Sequence, residues 1–333
     1  VARLLGADRR ADAVRHGVSA LWLGGGIGVV AGILGLLLTD PVLAAFDATP
    51  EATDQARRYL QVAWFGVPAL LVSLAGTGVL RGLQDTRTPL LVAATGAVVN
   101  VVANVVLVLV LEWGIAGAAA GTVATEMGMA VWLVVVVLRE ASRRGVGWRP
   151  YAVDVSASWA TGWPLLIRTA MLRVALIVAT ATAARLGTDG LAAHNVAYVV
   201  WGLLALALDA LAIAAQALVG RYLGEGDPSA VRSLTRRLVR WGVIGGVVLG
   251  GITAALAVPL ASVFSDDPQV RSLIVVAMLV VAVLQPIAGW VFVLDGILIG
   301  AGDGRYLAVA ALTSTAAFLP LAWLAGRAAD AGG

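Results

Sequence analysis

Three carboxylates stand inside long apolar runs of this chain, where an ionised side chain is unfavourable. They are Glu126, Asp209 and Asp295. A carboxylate at membrane depth usually faces a cavity or a cationic partner, and it can bind a proton or another cation there. We therefore predict that these residues line a cavity in which a cation or a cationic substrate binds.

Each carboxylate also has a structural alternative. Asp209 would then be a buried acid satisfied by a neighbouring arginine or by helix hydroxyls. Asp295 lies about one helical turn from an end of its apolar run, where it would cap the helix or reach the interface. Glu126 would bond to a neighbouring helix.

Two arginines in one apolar run have different expected roles. Arg168 lies near one end of the run, so its guanidinium is predicted to extend to the interface. Arg173 lies deeper, and we predict that it joins the cavity and pairs with Asp209 or Asp295, which would also suit a conformation-dependent lock.

Amide and proline residues complete the set of candidates. Asn100 and Asn104 are four residues apart and therefore share one helix face, where they would line the cavity or bond to another helix. Pro68 and Pro286 fall in the middle of apolar runs, where a proline removes a helix hydrogen bond and favours a kink. They are the candidate kink or gating positions.

Covalent catalysis is not expected from this sequence. It has two histidines and no cysteine, and the histidines are predicted to lie on opposite sides of a membrane. We expect no catalytic residues, no metal site and no cofactor other than a coupling ion.

The composition of the chain predicts the kind of structural element that positions these residues. The chain is 60% hydrophobic and 13% charged, with a mean hydropathy of +0.92, whereas a soluble domain carries about 25% charged residues. Long apolar runs can span a bilayer only as helices. The chain is therefore predicted to be an all-α integral membrane protein. Nine spans are expected, at 17–40, 60–82, 89–111, 115–138, 163–186, 190–219, 241–264, 272–300 and 306–328.

The basic residues predict the orientation of these spans. All 23 are arginine; sixteen lie in one alternating set of connections, five in the other set, and two inside a span. By the positive-inside rule the richer set, which includes the first connection, is cytoplasmic. A multi-pass protein of the plasma (inner) membrane follows, with no nucleic-acid partner.

An internal repeat runs through the chain at a constant offset of 218 residues. Gly28 corresponds to Gly246 and Pro68 to Pro286; an Asp-x-Arg turn at 85–87 corresponds to 303–305. Both copies begin with a basic connection, so parallel repeats are predicted. Glycines at 24–26, 245–246 and 250–251 are expected to allow close helix packing.

The repeat predicts two lobes of six helices each, of which this chain supplies the third to the eleventh. We assign residues 1–138 to the N-terminal lobe, without its first two helices, and 139–162 to a cytoplasmic linker. Residues 163–333 form the C-terminal lobe, without its last helix.

Several motifs resemble the multidrug and toxic compound extrusion (MATE) family, in its DinF-like branch, over essentially the whole chain. They lie at 81–89 (RGLQDTRTP), 100–104 (NVVAN), 114–125 (GIAGAAAGTVAT), 187–194 (GTDGLAAH) and 208–220 (LDALAIAAQALVG). The resemblance implies two lobes around a central cavity that rock between inward-open and outward-open states. The best-known proton site of this branch is an aspartate on the first helix, which is not in this chain, so no residue here inherits that role.

The resemblance also implies export of amphipathic, cationic drugs or toxic compounds against an inward flux of H⁺ or Na⁺. The partners would then be a small-molecule substrate and the lipid bilayer, with the protein as a monomer. A lipid-linked saccharide flippase of the same superfamily is the alternative. Its cavity would be strongly cationic, whereas three acids and two arginines lie within the predicted spans here.

Overall fold

The computed structural model describes residues 1–45 and 49–332, with side chains described as far as Arg327. Regular structure within these residues is helical. The α-helices are α1 (Ala2–Gly6), α2 (Arg10–Ala44), α3 (Pro50–Ala63), α4 (Val67–Gly82), α5 (Arg87–Asn104), α6 (Gly114–Arg143), α7 (Ala152–Ala184), α8 (Gly187–Glu225), α9 (Pro228–Phe264), α10 (Pro268–Ala301) and α11 (Gly304–Gly332). A 3₁₀ turn at Trp64–Gly66 joins α3 to α4, and a π-helical turn at Val105–Val110 continues α5.

Nine helical segments in the described part of the chain are long and apolar enough to cross a membrane. They follow the nine predicted spans in order. Large apolar side chains point outward along them; Leu37, Leu109 and Val283 are 70%, 71% and 75% exposed. An apolar exterior of this extent suits lipid rather than water. The prediction of an all-α, multi-pass membrane protein is confirmed.

The helix boundaries depart most from the prediction at 139–162, the expected linker. The α6 helix continues to Arg143 and α7 already begins at Ala152, so only residues 144–151 are outside a helix. The reason is local: no proline lies between Pro150 and Pro164, and Asp154 stands in the first turn, where the helix dipole favours an acid.

The chain divides into two compact units, which we call unit 1 (residues 1–158) and unit 2 (residues 159–333). The division falls within α7. The predicted lobes 1–138 and 163–333 lie inside these units, while the lobe boundaries themselves, and the orientation of the repeats, stay predictions. Residues 46–48 and 333 lie outside the described residues.

Capping interactions explain where α8 ends and where α9 and α10 begin. Asp227 and Asp267 precede α9 and α10, and each carboxylate accepts hydrogen bonds from two first-turn amides. Gly226 ends α8 with φ of 74°, a left-handed conformation that favours glycine. Hydrogen bonds from the Ala230 amide and from Ser229 lower the pKa of the Asp227 carboxyl. These ends are therefore set by local sequence.

In unit 1, α2 packs directly on the backbone of the segment that contains α3 and α4. Three glycines spaced by four residues form this face of α2, so no side chain separates the helices. A Cβ atom would lie 3.0 Å from the Leu71 carbonyl oxygen if built at Gly24, 2.5 Å from Pro68 Cα at Gly28, and 2.9 Å from the Trp64 carbonyl oxygen at Gly32.

In unit 2, α9 packs on α10 through the three positions that lie 218 residues later. A Cβ atom would lie 2.5 Å from the Gly289 carbonyl oxygen if built at Gly242, 2.7 Å from Pro286 Cα at Gly246, and against the Ala282 carbonyl oxygen at Gly250. The contact between Gly246 and Pro286 in unit 2 is therefore equivalent to the contact between Gly28 and Pro68 in unit 1. The predicted repeat corresponds to the same glycine-to-proline helix contact in each unit.

The neighbouring glycines do not share this role. Gly26, Gly245 and Gly251 have no atom within 4 Å of a Cβ built on them. The prediction that the glycine groups allow close packing is therefore right for Gly24, Gly246 and Gly250 and wrong for the residues that face away.

The non-helical segment 144–151 lies against the first half of α2 in unit 1. The Trp22 indole N–H donates to the Trp148 carbonyl oxygen at 2.8 Å, and the Tyr151 amide donates to the Ser19 hydroxyl at 3.1 Å. Ser19 is fully buried, so this segment covers the surface of α2.

Asp154, at the start of α7, is the centre of the polar contacts that hold this segment. It is 7% exposed; its carboxylate accepts from Arg15 Nε at 2.9 Å and lies 3.4 Å from His16 Nδ1. The Ser158 hydroxyl lies 3.2 Å from the other ring nitrogen of His16, and the Arg15 guanidinium lies 5.2 Å from the centre of the Tyr151 ring.

Replacement of Asp154 by alanine is expected to loosen the 144–151 segment, because it removes the shared partner of Arg15 and His16. We expect Tm in detergent to fall by about 3–8 °C, with faster proteolysis between residues 144 and 151. Thermal unfolding and limited trypsin digestion measure these effects. Asp266→Ala is the matched control, since the Asp266 side chain is fully exposed; equal Tm and digestion rates for both variants would contradict the assignment.

Candidate functional site

Polar side chains of unit 1 meet where α5 faces α6. Asn104 donates to the backbone carbonyl of Asn100 at 2.9 Å and to its side-chain oxygen at 3.1 Å. Asn100 in turn donates to the Thr122 hydroxyl at 3.3 Å, and that hydroxyl donates to the Ala118 carbonyl at 3.0 Å. We call Asn100, Asn104 and Thr122 the amide cluster.

The backbone beside the amide cluster is irregular. The π-helical turn at Val105–Val110 begins directly after Asn104, and such turns occur frequently at functional sites. Asn100 and Asn104 were predicted to share one helix face, and their hydrogen bonds show that they do.

One helical turn beyond Thr122 on α6, Glu126 lines a small pocket against the α3–α4 segment. The pocket has a volume of about 110 Å³. Its lining consists of residues from those two segments: Tyr59, Ala63, Gly66, Val67, Leu70, Ala119, Thr122, Val123 and Glu126. We call it the Glu126 pocket. The 3₁₀ turn Trp64–Gly66 forms part of its wall and brings Gly66 close to Val123.

One carboxylate oxygen in this pocket has no hydrogen-bond partner among the described residues. One oxygen of Glu126, Oε2, is buried and accepts no hydrogen bond from any described residue. An unpaired buried carboxylate oxygen is unfavourable unless a proton or a cation occupies it. The Glu126 pocket is therefore suited to bind a positively charged group.

Unit 2 brings together three charged side chains from three helices. Arg168 on α7 forms an ion pair with Asp295 on α10. Asp209 on α8 is near enough for its charge to act on the Arg168 guanidinium. We call Arg168, Asp209 and Asp295 the charged cluster. It has two acids and one base.

Close packing of α8 and α10 explains why these acids approach one arginine. Gly296, the residue after Asp295, would place a Cβ against the Ala212 carbonyl oxygen, and Gly300 would place one 2.5 Å from the Gln216 carbonyl oxygen. Asp209 lies three residues before Ala212 on the same helix. The small residues of α10 therefore set the spacing of the charged cluster.

The ion pair predicted for Arg173 was wrong. Arg168 pairs with Asp295 instead, while Arg173 is exposed and forms no ion pair within the described residues. The predicted extension of Arg168 to the interface stays a prediction. At 3.6 residues per turn, five residues rotate the side chain by about 140° around a helix and move it about 7.5 Å along it. One face of α7 therefore cannot present both arginines to the same carboxylate.

The two candidate kink prolines differ in local structure. Pro68 follows the 3₁₀ turn at Trp64–Gly66, whereas α10 continues as an α-helix through Pro286. Next to Pro286, Gln285 is 1% exposed and its side-chain oxygen accepts no hydrogen bond from a described residue. A role of either proline in gating stays a prediction.

Three residues of these clusters were not predicted, namely Tyr59, Thr122 and Arg168. The spacing of Thr122 and Glu126, four residues apart on α6, places both on one face and was the available signal for Thr122. Tyr59 carries no such signal, because it comes from a different span.

Comparison with known proteins agrees with the fold. The profile of the MatE family matches residues 1–106 and 164–324. The Arabidopsis thaliana protein DETOXIFICATION 43 is 32% identical over 291 residues, which is 87% of this chain and 55% of that protein. This chain therefore spans about half the length of that relative.

A bacterial relative and two solved structures extend the comparison. Escherichia coli DNA damage-inducible protein F is 27% identical over 339 residues, covering 98% of this chain and 73% of the relative. The structure described as MATE in the straight conformation has a TM-score of 0.86 at 19% identity, over 94% of this chain and 71% of that one. The outward-facing multidrug resistance MATE family transporter has a TM-score of 0.85 at 19% identity, over 93% and 70%.

Proposed function

Because this chain belongs to the MatE family, whose members are transporters rather than enzymes, we propose that it exports amphipathic, cationic compounds in exchange for H⁺ or Na⁺. Transport would proceed by alternating access, in the plasma membrane, with the first connection cytoplasmic and the protein as a monomer. The names of the bacterial relatives, which include probable multidrug resistance protein NorM of Pseudomonas putida, support a drug substrate.

The observation that carries this proposal is the excess of carboxylates in the membrane-spanning helices. Glu126 has a buried oxygen without a described partner, and Asp209 is exposed and forms no direct ion pair within the described part of the chain. The one arginine of the charged cluster is engaged by Asp295. Two acids thus remain for an incoming cation.

Exchange follows if the substrate and the coupling ion bind the same carboxylate. A proton on Asp209 or Glu126 removes the charge that attracts a cationic drug, so each ligand lowers the affinity for the other. Amide and hydroxyl oxygens of the amide cluster are hard ligands that also suit Na⁺. H⁺ and Na⁺ would therefore each have side chains that can bind them.

The lipid-linked saccharide flippase is less well supported. A site for a pyrophosphate group needs several cations, because guanidinium and ammonium groups pair with phosphate oxygens. The charged cluster and the Glu126 pocket together hold three acids and one arginine, so their charge opposes an anionic substrate.

The test is ethidium efflux by the full-length protein in cells that lack other exporters. Asp209→Asn and Glu126→Gln are expected to reduce efflux and drug resistance, Asp209→Asn to background, because a neutral amide cannot alternate between a proton and a cation. Asp266→Asn is the control, since that side chain is fully exposed after α9. Membrane expression of each variant is measured in parallel.

Normal ethidium efflux and resistance in Asp209→Asn would contradict the assignment. The coupling ion is identified in proteoliposomes by imposing a pH gradient or a Na⁺ gradient separately. Transport that neither gradient drives would reject coupled antiport and leave family membership unaffected.

A further inference from the structure

The first half of α9 carries four exposed arginines, Arg232, Arg236, Arg237 and Arg240. None of them forms an ion pair with any residue that the structure describes. By contrast, Arg144 at the end of α6 pairs with Glu140 at 2.6 Å. The stretch of α9 from 228 to 244 contains no acid. This positive charge therefore has no ion-pair partner in the described part of unit 2.

Three of these arginines border a wide, open cavity with a volume of about 800 Å³, which is lined by Arg236, Arg237, Arg240, Trp241 and Ile244. We call these five residues the basic groove. Arg236 and Arg240 are one turn apart on one face, and Arg237, Trp241 and Ile244 follow on the adjacent face. Trp241 is 60% exposed and Ile244 is 48% exposed. The groove thus passes from guanidinium groups to apolar side chains along one helix.

The internal repeat identifies the surface of unit 1 that corresponds to the four arginines of α9. The positions 218 residues before Arg232, Arg236, Arg237 and Arg240 are Val14, Val18, Ser19 and Trp22.

Most of that surface of α2 is covered by protein, although Trp22 is 48% exposed. Val14 and Ser19 are fully buried and Val18 is 1% exposed. The hydrogen bonds of Ser19 to Tyr151 and of Trp22 to Trp148 hold the 144–151 segment on it. The side chains of α2 that correspond to the four arginines of α9 are therefore apolar or neutral.

The corresponding surface of α9 has the opposite character. Four arginines without acids are unfavourable beneath an apolar polypeptide segment, because each charge would lose its hydration without gaining a partner. A surface of guanidinium groups next to Trp241 suits an anion at a membrane interface, since tryptophan favours that depth.

We propose that the basic groove binds the phosphate head group of an anionic phospholipid. Arg236, Arg237 and Arg240 would pair with phosphate oxygens, for which the planar guanidinium is well shaped. Trp241 and Ile244 would lie along the first part of an acyl chain. Clusters of basic residues next to a membrane span bind anionic lipids by the same forces. The site does not depend on the proposed transport activity.

A lipid is favoured over a free phosphate ester because the groove continues into an apolar surface. Beyond Ile244, Val247 and Val248 are 56% and 54% exposed on α9. A soluble phosphate compound would use the arginines alone, whereas a phospholipid would also cover these side chains. The two ligands are therefore separable by experiment.

The test uses the purified full-length protein with phosphatidylglycerol or phosphatidylcholine, with bound lipids counted by native mass spectrometry. Arg236→Gln/Arg240→Gln is expected to weaken phosphatidylglycerol binding by about tenfold or more and to leave phosphatidylcholine binding unchanged. The matched control is Arg143→Gln/Arg144→Gln, which removes the same charge from residues paired with Glu140. It is expected to keep most of the phosphatidylglycerol binding.

Equal loss of phosphatidylglycerol binding in both double variants would overturn the proposal, because it would reflect net charge alone. Unchanged binding in Arg236→Gln/Arg240→Gln would overturn it as well. Inorganic phosphate at about 10 mM is expected to leave the lipid bound. Full displacement of the lipid by phosphate would instead assign the groove to a soluble phosphate ester. Arg236→Lys/Arg240→Lys, which keeps the charge, is expected to show intermediate affinity.

Discussion

Replacing Gly246 with leucine is expected to prevent unit 2 from folding. A Cβ at this position would lie 2.7 Å from Pro286 Cα and would overlap the backbone of Gln285. These are backbone atoms, so no side-chain rotation relieves the overlap, and α9 and α10 would have to separate. Gly242 and Gly250 make equivalent contacts along the same crossing, so the loss would extend over the whole interface.

The expected destabilisation is about 3 kcal/mol or more, at the upper end for overpacking of an interior contact. Size-exclusion chromatography in detergent should show aggregated or absent protein for Gly246→Leu. Gly245→Leu is the matched control, because it adds the same side chain one residue earlier, where no atom lies within 4 Å. A monodisperse Gly246→Leu with the Tm of Gly245→Leu would show that the helices do not pack this way.

Replacing Asp295 with asparagine is expected to destabilise unit 2 by leaving Arg168 without its ion-pair partner. The two side chains are 21% and 28% exposed, so both are partly desolvated. Removing one partner of a fully buried pair costs about 3–5 kcal/mol. We expect about 2 kcal/mol here, because the remaining exposure allows some hydration. Thermal unfolding in detergent measures the effect as a lowered Tm.

The double variant Arg168→Gln/Asp295→Asn tests the cause of this loss. It removes both charges of the ion pair, and the remaining acid of the cluster, Asp209, is exposed, so the double variant is expected to recover much of the Tm that Asp295→Asn alone loses. Arg173→Gln is the control on the same helix, since Arg173 is exposed and has no described ion pair. A larger Tm loss in Arg173→Gln than in Asp295→Asn would restore the pairing that the sequence suggested.

Much of the fold follows from local properties of the sequence. The apolar runs predict all nine spans because the length and hydropathy of a segment decide whether it can cross a bilayer. The 218-residue repeat was read from the sequence, and the structure shows that the contact of Gly28 with Pro68 recurs as the contact of Gly246 with Pro286. The start of α7 was placed too late because the hydropathy pattern marks only the apolar part of a helix, whereas α7 begins with the polar turn that contains Asp154.

The sequence by itself determined that this is a helical membrane protein with an internal repeat, and it identified Glu126, Asp209 and Asp295 as the acids within its spans. Only the tertiary structure decided which groups meet these acids. Arg168 reaches Asp295 and Arg173 does not, and Tyr59 lines the Glu126 pocket from a different helix. The reason is that hydropathy and spacing belong to single segments, whereas contacts between polar groups depend on how each helix is rotated and where it crosses its neighbours.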